Sequence, residues 1–114
     1  VKRYINKVRV KSNSNNTTDH GMMGQEFGLN KVLQVAAKFS KPDGSKFHQD
    51  TYKCIEEGQK YLSMGIVSGA RNPVSHEEIS DLKNSGLFTE KDCLDMLSLL
   101  SHLFKRLDDA NQTP

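Results

Sequence analysis

Arg71, Asn72 and His76 fall within six positions, in the stretch Gly69-Ala-Arg-Asn-Pro-Val-Ser-His-Glu-Glu78, with Pro73 between them. A guanidinium grips two phosphate oxygens at once, and an imidazole takes or gives a proton near neutral pH. A carboxamide beside them can orient either one. These residue types together suit a phosphodiester. Proline disfavours helical backbone in the residue before it, so a helix arriving from the N-terminal side should stop near Arg71 or Asn72. Ser75 followed by Glu78 has the pattern of a capping box, which predicts a second helix with His76 in its first turn. The free N–H groups of such a helix start would favour an anion. Arg71, Asn72 and His76 are therefore the candidate catalytic residues, with Ser75 and Glu77 as candidate substrate-binding neighbours. The same spacing also fits a plain capped corner with exposed polar side chains.

The elements that must hold this corner read as helices. Tyr4, Ile5 and Val8 have helical spacing among five basic residues, Lys2, Arg3, Lys7, Arg9 and Lys11, which predicts a short amphipathic helix over 1–11. Residues 12–20 (S-N-S-N-N-T-T-D-H) are polar and turn-prone and read as a flexible loop. Met22, Met23 and Phe27 suggest a helical turn, and Leu29 to Phe39 a further helix. Pro42-Asp43-Gly44 is a turn signal, with Phe47 beyond it expected to tuck onto the core. Residues 51–71 read as a long central helix with Ile55, Leu62 and Ile66 as its inward stripe. Gly58, Gly65 and Gly69 share one face of it. Each costs about 1 kcal/mol against alanine, so three together suggest close approach of another backbone, in this chain or a second one, or else a weak helix. After the corner, a short helix over 77–83 should turn Ile79 and Leu82 inward and end at Asn84-Ser85-Gly86. Thr89 with Asp92 caps a last helix whose stripe runs from Cys93 to Leu107, and residues 108–114 should fray. The sum is an all-α fold, a compact bundle of about five helices in which the long central helix leads into the Pro-containing corner.

Composition narrows the function classes. A chain of 114 residues is one domain, 1–114, with a modest core. A net charge of +2 excludes a globally basic nucleic-acid binder. The charge is unevenly spread, however: residues 1–11 hold five bases and no acid, while from His76 onward acids outnumber bases eight to four. The basic first helix could guide a polyanion. No apolar run is long enough to span a bilayer, so no membrane association is expected. Cys54 and Cys93 form neither a disulfide framework nor a metal motif. They read as structural thiols of a reduced, cytoplasmic protein. No metal-ligand spacing and no phosphate-cradling glycine loop occur, so no cofactor is expected. His20, His48 and His102 read as exposed or structural. The opening on Val1 suggests the C-terminal part of a longer protein.

Residues 69–77 resemble the Gly-Ile-Arg-Asn-Pro-x-Ala-His-Glu pattern of the Ymh family of bacterial C-terminal domains, a branch of the HEPN (higher eukaryotes and prokaryotes nucleotide-binding) superfamily. Ala70 stands in the isoleucine position and Ser75 in the alanine position. Glu57-Gly58, Leu62, Gly65 and Gly69 are similar to that family's glycine-bearing helix. Asp19 to Phe27 resembles its Asp-Gly-x-x-Leu-Met-x-x-Ala-Phe segment, with His20 inserted or a shift. Arg106-Leu107-Asp108 and Ala110 resemble its ending, so nearly the whole chain is covered.

The resemblance implies an α-helical, commonly dimeric domain. It implies a metal-independent endoribonuclease where the Arg-x4-6-His motif is intact, in toxin–antitoxin, abortive-infection and other antiphage systems. Arg71, Asn72 and His76 occupy the motif positions. The expected partners are RNA, a second copy of the chain, and an antitoxin or N-terminal sensor domain. The expected chemistry is attack by the RNA 2′-OH at a composite dimer site. There His76 serves as acid or base, Arg71 stabilises the phosphorane and Asn72 positions them. The helix dipole would lower the His76 pKa, and Glu77 and Glu78 would raise it. The alternative is a catalytically inactive module that dimerises, or binds nucleotide or RNA.

Overall fold

The computed structural model describes residues 1–28, 31–71, 73 and 77–112, and of Arg71, Asn111 and Gln112 the backbone alone. Five α-helices make up nearly all its regular structure: α1 (Lys2–Ser12), α2 (Asp19–Glu26), α3 (Gln49–Ile66), α4 (Ile79–Asn84) and α5 (Glu90–Asp108). The all-α expectation holds. Among the described residues the remaining elements are a π-helical continuation of α3 (Val67–Arg71) and a two-residue antiparallel pair, β1 (Leu33–Gln34) with β2 (Asn111–Gln112).

Each helix has a local cause. α1 ends where Asn13 takes a left-handed conformation, φ 54°. Thr18 caps α2 through its side chain, and His48 Nδ1 accepts the Asp50 N–H at the start of α3. α5 begins with the capping box expected from its sequence: Thr89 Oγ1 accepts the Asp92 N–H, and the Asp92 carboxylate accepts the Thr89 N–H. At its far end Lys11 Nζ donates to the Leu107 carbonyl at 2.5 Å, placing a cation on the negative end of the helix dipole.

The core is built where α1, α2 and the end of α3 meet the second half of α5. Tyr4, Val8, Met22, Met23, Leu33, Val35, Leu103 and Leu107 are among its fully buried members. The inward face of α3 is the expected one at Ile66, which is buried, and at Ile55, which packs against the core, but not at Leu62. Glu56, Gln59, Ser63 and Ile66 are buried, while Leu62 is 44 % exposed. Polar side chains can occupy that face because each is bonded there. Gln59 Nε2 donates to the Tyr4 hydroxyl at 2.8 Å, and Ser63 Oγ lies 2.7 Å from the same hydroxyl. The Glu56 carboxylate accepts the main-chain N–H groups of Val35 and Ala36 at 3.0 and 2.8 Å.

This last contact corrects the helix expected over 29–39. Gly28, with φ 152°, turns the chain away from helix. Leu33–Gln34 then pairs with Asn111–Gln112, and the next two N–H groups go to Glu56 instead of a helical ladder. Leu29 and Asn30 lie outside the described residues. Three further expectations are corrected. Asn111–Gln112 is paired rather than frayed, with Lys38 bonded to Asp109 beside it. Phe47 is exposed and packs edge-on against Tyr52, not on the core. Both cysteines are exposed. The loop expected over 12–20 is shorter, since Ser12 belongs to α1 and Asp19 and His20 to α2. Its middle is tied down by Arg9 to the Asn16 carbonyl, Asn16 to Gln25 and Ser14 to Glu26.

The assembly is flat, 52 × 31 × 19 Å. It exposes 7364 Å², against about 6,300 Å² for a globular monomer of this mass. The excess, about 1,000 Å², is on the scale of one side of a standard protein interface.

Candidate functional site

The candidate corner begins where α3 changes its hydrogen bonding. At Val67 the N–H reaches the carbonyls of both Met64 and Ser63, and the next residues, through Arg71, wind as π-helix. Pro73 gives a physical reason for the change. It has no N–H to return to the Gly69 carbonyl, so the α-helical ladder is incomplete there. Val67 is buried, and Ala70 packs against the core cluster. Gly69 faces open space, with nothing within 4 Å of the position a Cβ would take. The π segment is thus anchored on one side and open on the other. Single π turns of this kind recur at functional sites.

Beyond it, the Glu77 N–H donates to the Pro73 carbonyl at 3.0 Å. Glu78 then turns extended, φ −68° and ψ 135°, and α4 starts at Ile79. This corrects the expected capping box. Glu78 is the N-cap residue of α4, not its third residue, and makes no side-chain capping bond. Ile79 is also corrected: it is 70 % exposed, because α4 has six residues and buries only Leu82.

Of the five candidate site residues, Glu77 is exposed and its N–H makes the bond to Pro73 just described. Arg71 is placed by its backbone as the last residue of the π segment. Asn72, Ser75 and His76 lie outside the described residues, as does the Arg71 side chain. The described backbone therefore places the start of the motif, Arg71, at the end of the π segment, with Pro73 and Glu77 beyond it. The convergence of the three side chains is not part of it.

The three glycines expected to meet another backbone meet none in this chain. Gly58, Gly65 and Gly69 each have nothing within 4 Å of a built Cβ. Leu62 and Tyr61, 59 % exposed, lie on the same side of α3. Among the described residues, no backbone of the same chain approaches that face. The α3 ladder runs unbroken from Gln49 to Ile66.

Two buried polar groups were not singled out by sequence reasoning. Burial pushes the Tyr4 hydroxyl up to about 12, against the opposing effect of its bonds to Ser63 and Gln59. Burial also raises the Glu56 pKa, partly offset by the N–H groups of Ala36 and Val35. Both are bonded, Glu56 on the inner face of α3 and Tyr4 reaching that face from α1, so they serve the fold. The only sequence signal was the helical spacing of Glu56, Gln59 and Ser63, which resembles an ordinary solvated face.

Among the described residues no group of three His, Cys, Asp or Glu side chains is arranged to hold a metal ion. None of the helices is long and apolar enough to cross a membrane.

No curated protein and no solved structure matches the chain. A family model described as "Protein of unknown function (Hypoth_ymh)" matches residues 1–107, nearly the whole length, and the chain belongs to that family.

Proposed function

We propose that the chain is a metal-independent endoribonuclease of HEPN type, cutting RNA by attack of its own 2′-OH at a site shared between two copies. The observation that carries this reading is that the Arg71-Asn72-Pro73-x-x-His76 motif begins at the π-helical end of α3. An irregular backbone anchored on the core, carrying a cation, a carboxamide and an imidazole, is what a phosphoryl-transfer site needs to position its groups.

His76 takes the 2′-OH proton or supplies one to the departing 5′-oxygen, and its partner copy performs the other transfer. Arg71 neutralises the non-bridging oxygens of the phosphorane. Asn72 orients the imidazole or the phosphate, and Ser75 and Glu77 line the approach. The products are a 2′,3′-cyclic phosphate and a 5′-OH. The uncovered face of α3 and the excess surface area support a second copy, since a single chain offers only one such histidine. The setting we propose is a bacterial toxin or antiphage system, in the cytoplasm, with an antitoxin or sensor domain restraining it.

The test is titration of the wild-type protein with excess His76→Ala chain. Activity per wild-type chain should fall as mixed dimers form. Activity that does not respond to the added variant rules out the shared site. The alternative is an inactive helical module that dimerises or binds nucleotide or RNA, and the same uncovered α3 face favours it. A folded dimer that cuts no RNA and is not toxic on expression would decide for it.

A further inference from the structure

We infer that the groove between α4 and the first half of α5 is a docking site for a basic amphipathic helix supplied by another polypeptide. The groove encloses about 660 Å³ and is floored by Leu82, Phe88, Met96 and Leu100, with Ile79 and Leu97 on its lips. Leu97 is 62 % exposed although it belongs to the apolar side of α5. An apolar groove beside a helix can take the i, i+3, i+4, i+7 side chains of a helical ligand.

Charge selects the kind of helix. Residues 77–95 carry six acids, Glu77, Glu78, Asp81, Glu90, Asp92 and Asp95, against Lys83 and Lys91. Lys91 is already bonded to Asp95. Glu90 and Asp92 line the groove itself, against one base, Lys83. An apolar strip flanked by acids is complementary to an apolar strip flanked by lysine or arginine.

The same charges argue against a second copy in the groove. Two-fold pairing of groove on groove would bring two acidic rims together. The one basic helix of this chain, α1, has its apolar side chains Tyr4, Ile5 and Val8 buried in its own core and cannot offer them. The uncovered face of α3 remains available for self-association. Ala70, next to Arg71, also lines the groove. An occupant therefore sits against the π segment that leads into the motif; that it restrains the motif is the one consequence that rests on the proposed ribonuclease activity.

The test uses the full chain carrying Cys54→Ser, which leaves Cys93, a groove-lining residue, as the one thiol. The probes are two fluorescent amphipathic peptides of about 15 residues with the same leucine face, one flanked by lysines and one by glutamates. The lysine peptide should bind, slow maleimide labelling of Cys93, and weaken with salt. The glutamate peptide should bind at least about tenfold more weakly. Leu97→Asp, at an exposed position, should abolish lysine-peptide binding while circular dichroism shows the fold intact. Equal binding of both peptides, absence of binding, or unchanged binding to Leu97→Asp would overturn the inference. So would a protein whose self-association is lost with Leu97→Asp, since that places a second copy in the groove. All readouts are independent of RNA cleavage.

Discussion

The Tyr4 hydroxyl lies 2.7 Å from Ser63 Oγ, joining the first helix to the third across the middle of the core. Both side chains have no exposed surface, and Gln59 completes the group by bonding to the hydroxyl and to the Leu103 carbonyl. Three helices are thus locked in register by one buried polar cluster, at the base of the helix that leads to the motif.

Tyr4→Phe should therefore cost more than a lost surface hydrogen bond. It leaves Ser63 and one Gln59 N–H buried without their partner, a loss of about 1–3 kcal/mol. Urea denaturation measures it. Adding Ser63→Ala to Tyr4→Phe should recover part of the loss, because the stranded hydroxyl is removed with its partner.

Glu56 gives a pH signature. Its folded pKa lies above the ordinary value of 4.5, chiefly because it is buried. The folded protein then holds that proton more tightly than the unfolded chain. The Glu56 contribution to stability is greatest at or below the unfolded value, falls as pH rises through the folded pKa, and is flat beyond it. Asp43, Asp92 and Asp108 are held below their ordinary 3.8 by hydrogen bonds, chiefly from Ser45, Thr89 and Lys7 respectively. Their contributions are present above that value and are lost only as pH falls below it. Comparing Glu56→Gln with wild type from pH 4.5 upward isolates the Glu56 slope, which the variant should lack. Glu56→Gln should also be destabilised by about 1–3 kcal/mol, since an amide offers one acceptor to two main-chain N–H groups.

Thr89→Ala should destabilise the protein by about 1 kcal/mol, the usual value of a lost N-cap. Thermal unfolding followed by circular dichroism is the measurement. Retention of full stability would mean that the first turn of α5 does not depend on its capping box.

Gly65→Ala separates the monomer from the dimer. In the single chain an added Cβ meets nothing within 4 Å. The variant monomer should gain up to about 1 kcal/mol from helix propensity. If a second α3 packs against this face, the same methyl group should weaken association. Sedimentation equilibrium and thermal melts at two concentrations separate the effects. A variant that is more stable and equally dimeric would place the interface elsewhere.

Much of the helical plan was legible in the sequence. The Thr89–Asp92 box, Gly86 after α4, and the apolar repeats of α1 and α5 each have local causes, so local patterns reveal them. The segment around Leu33 was not legible. Its conformation is set by a carboxylate at position 56 and by pairing with residues 111–112, and neither contact leaves a periodic trace. The inward face of α3 was legible at Ile55 and Ile66 and misread at Leu62 for a related reason: hydrophobic periodicity favours Leu62, whereas Gln59 and Ser63 are buried through their hydrogen bonds to Tyr4. At the site, Pro73 announced the end of α3, but the π-helical widening before it had no pattern of its own. Glu78 stands before α4, not inside it, in extended backbone, which the Ser75–Glu78 pattern alone did not reveal.

The reaction itself offers the most direct test. End-labelled RNA should be incubated with wild-type protein in excess EDTA and the new termini identified. Cleavage leaving a 2′,3′-cyclic phosphate and a 5′-OH, reduced by about 100-fold or more in His76→Ala and also lost in Arg71→Ala, is the predicted result. Cutting that persists unchanged in both variants, or that leaves a 3′-OH and a 5′-phosphate, would contradict it.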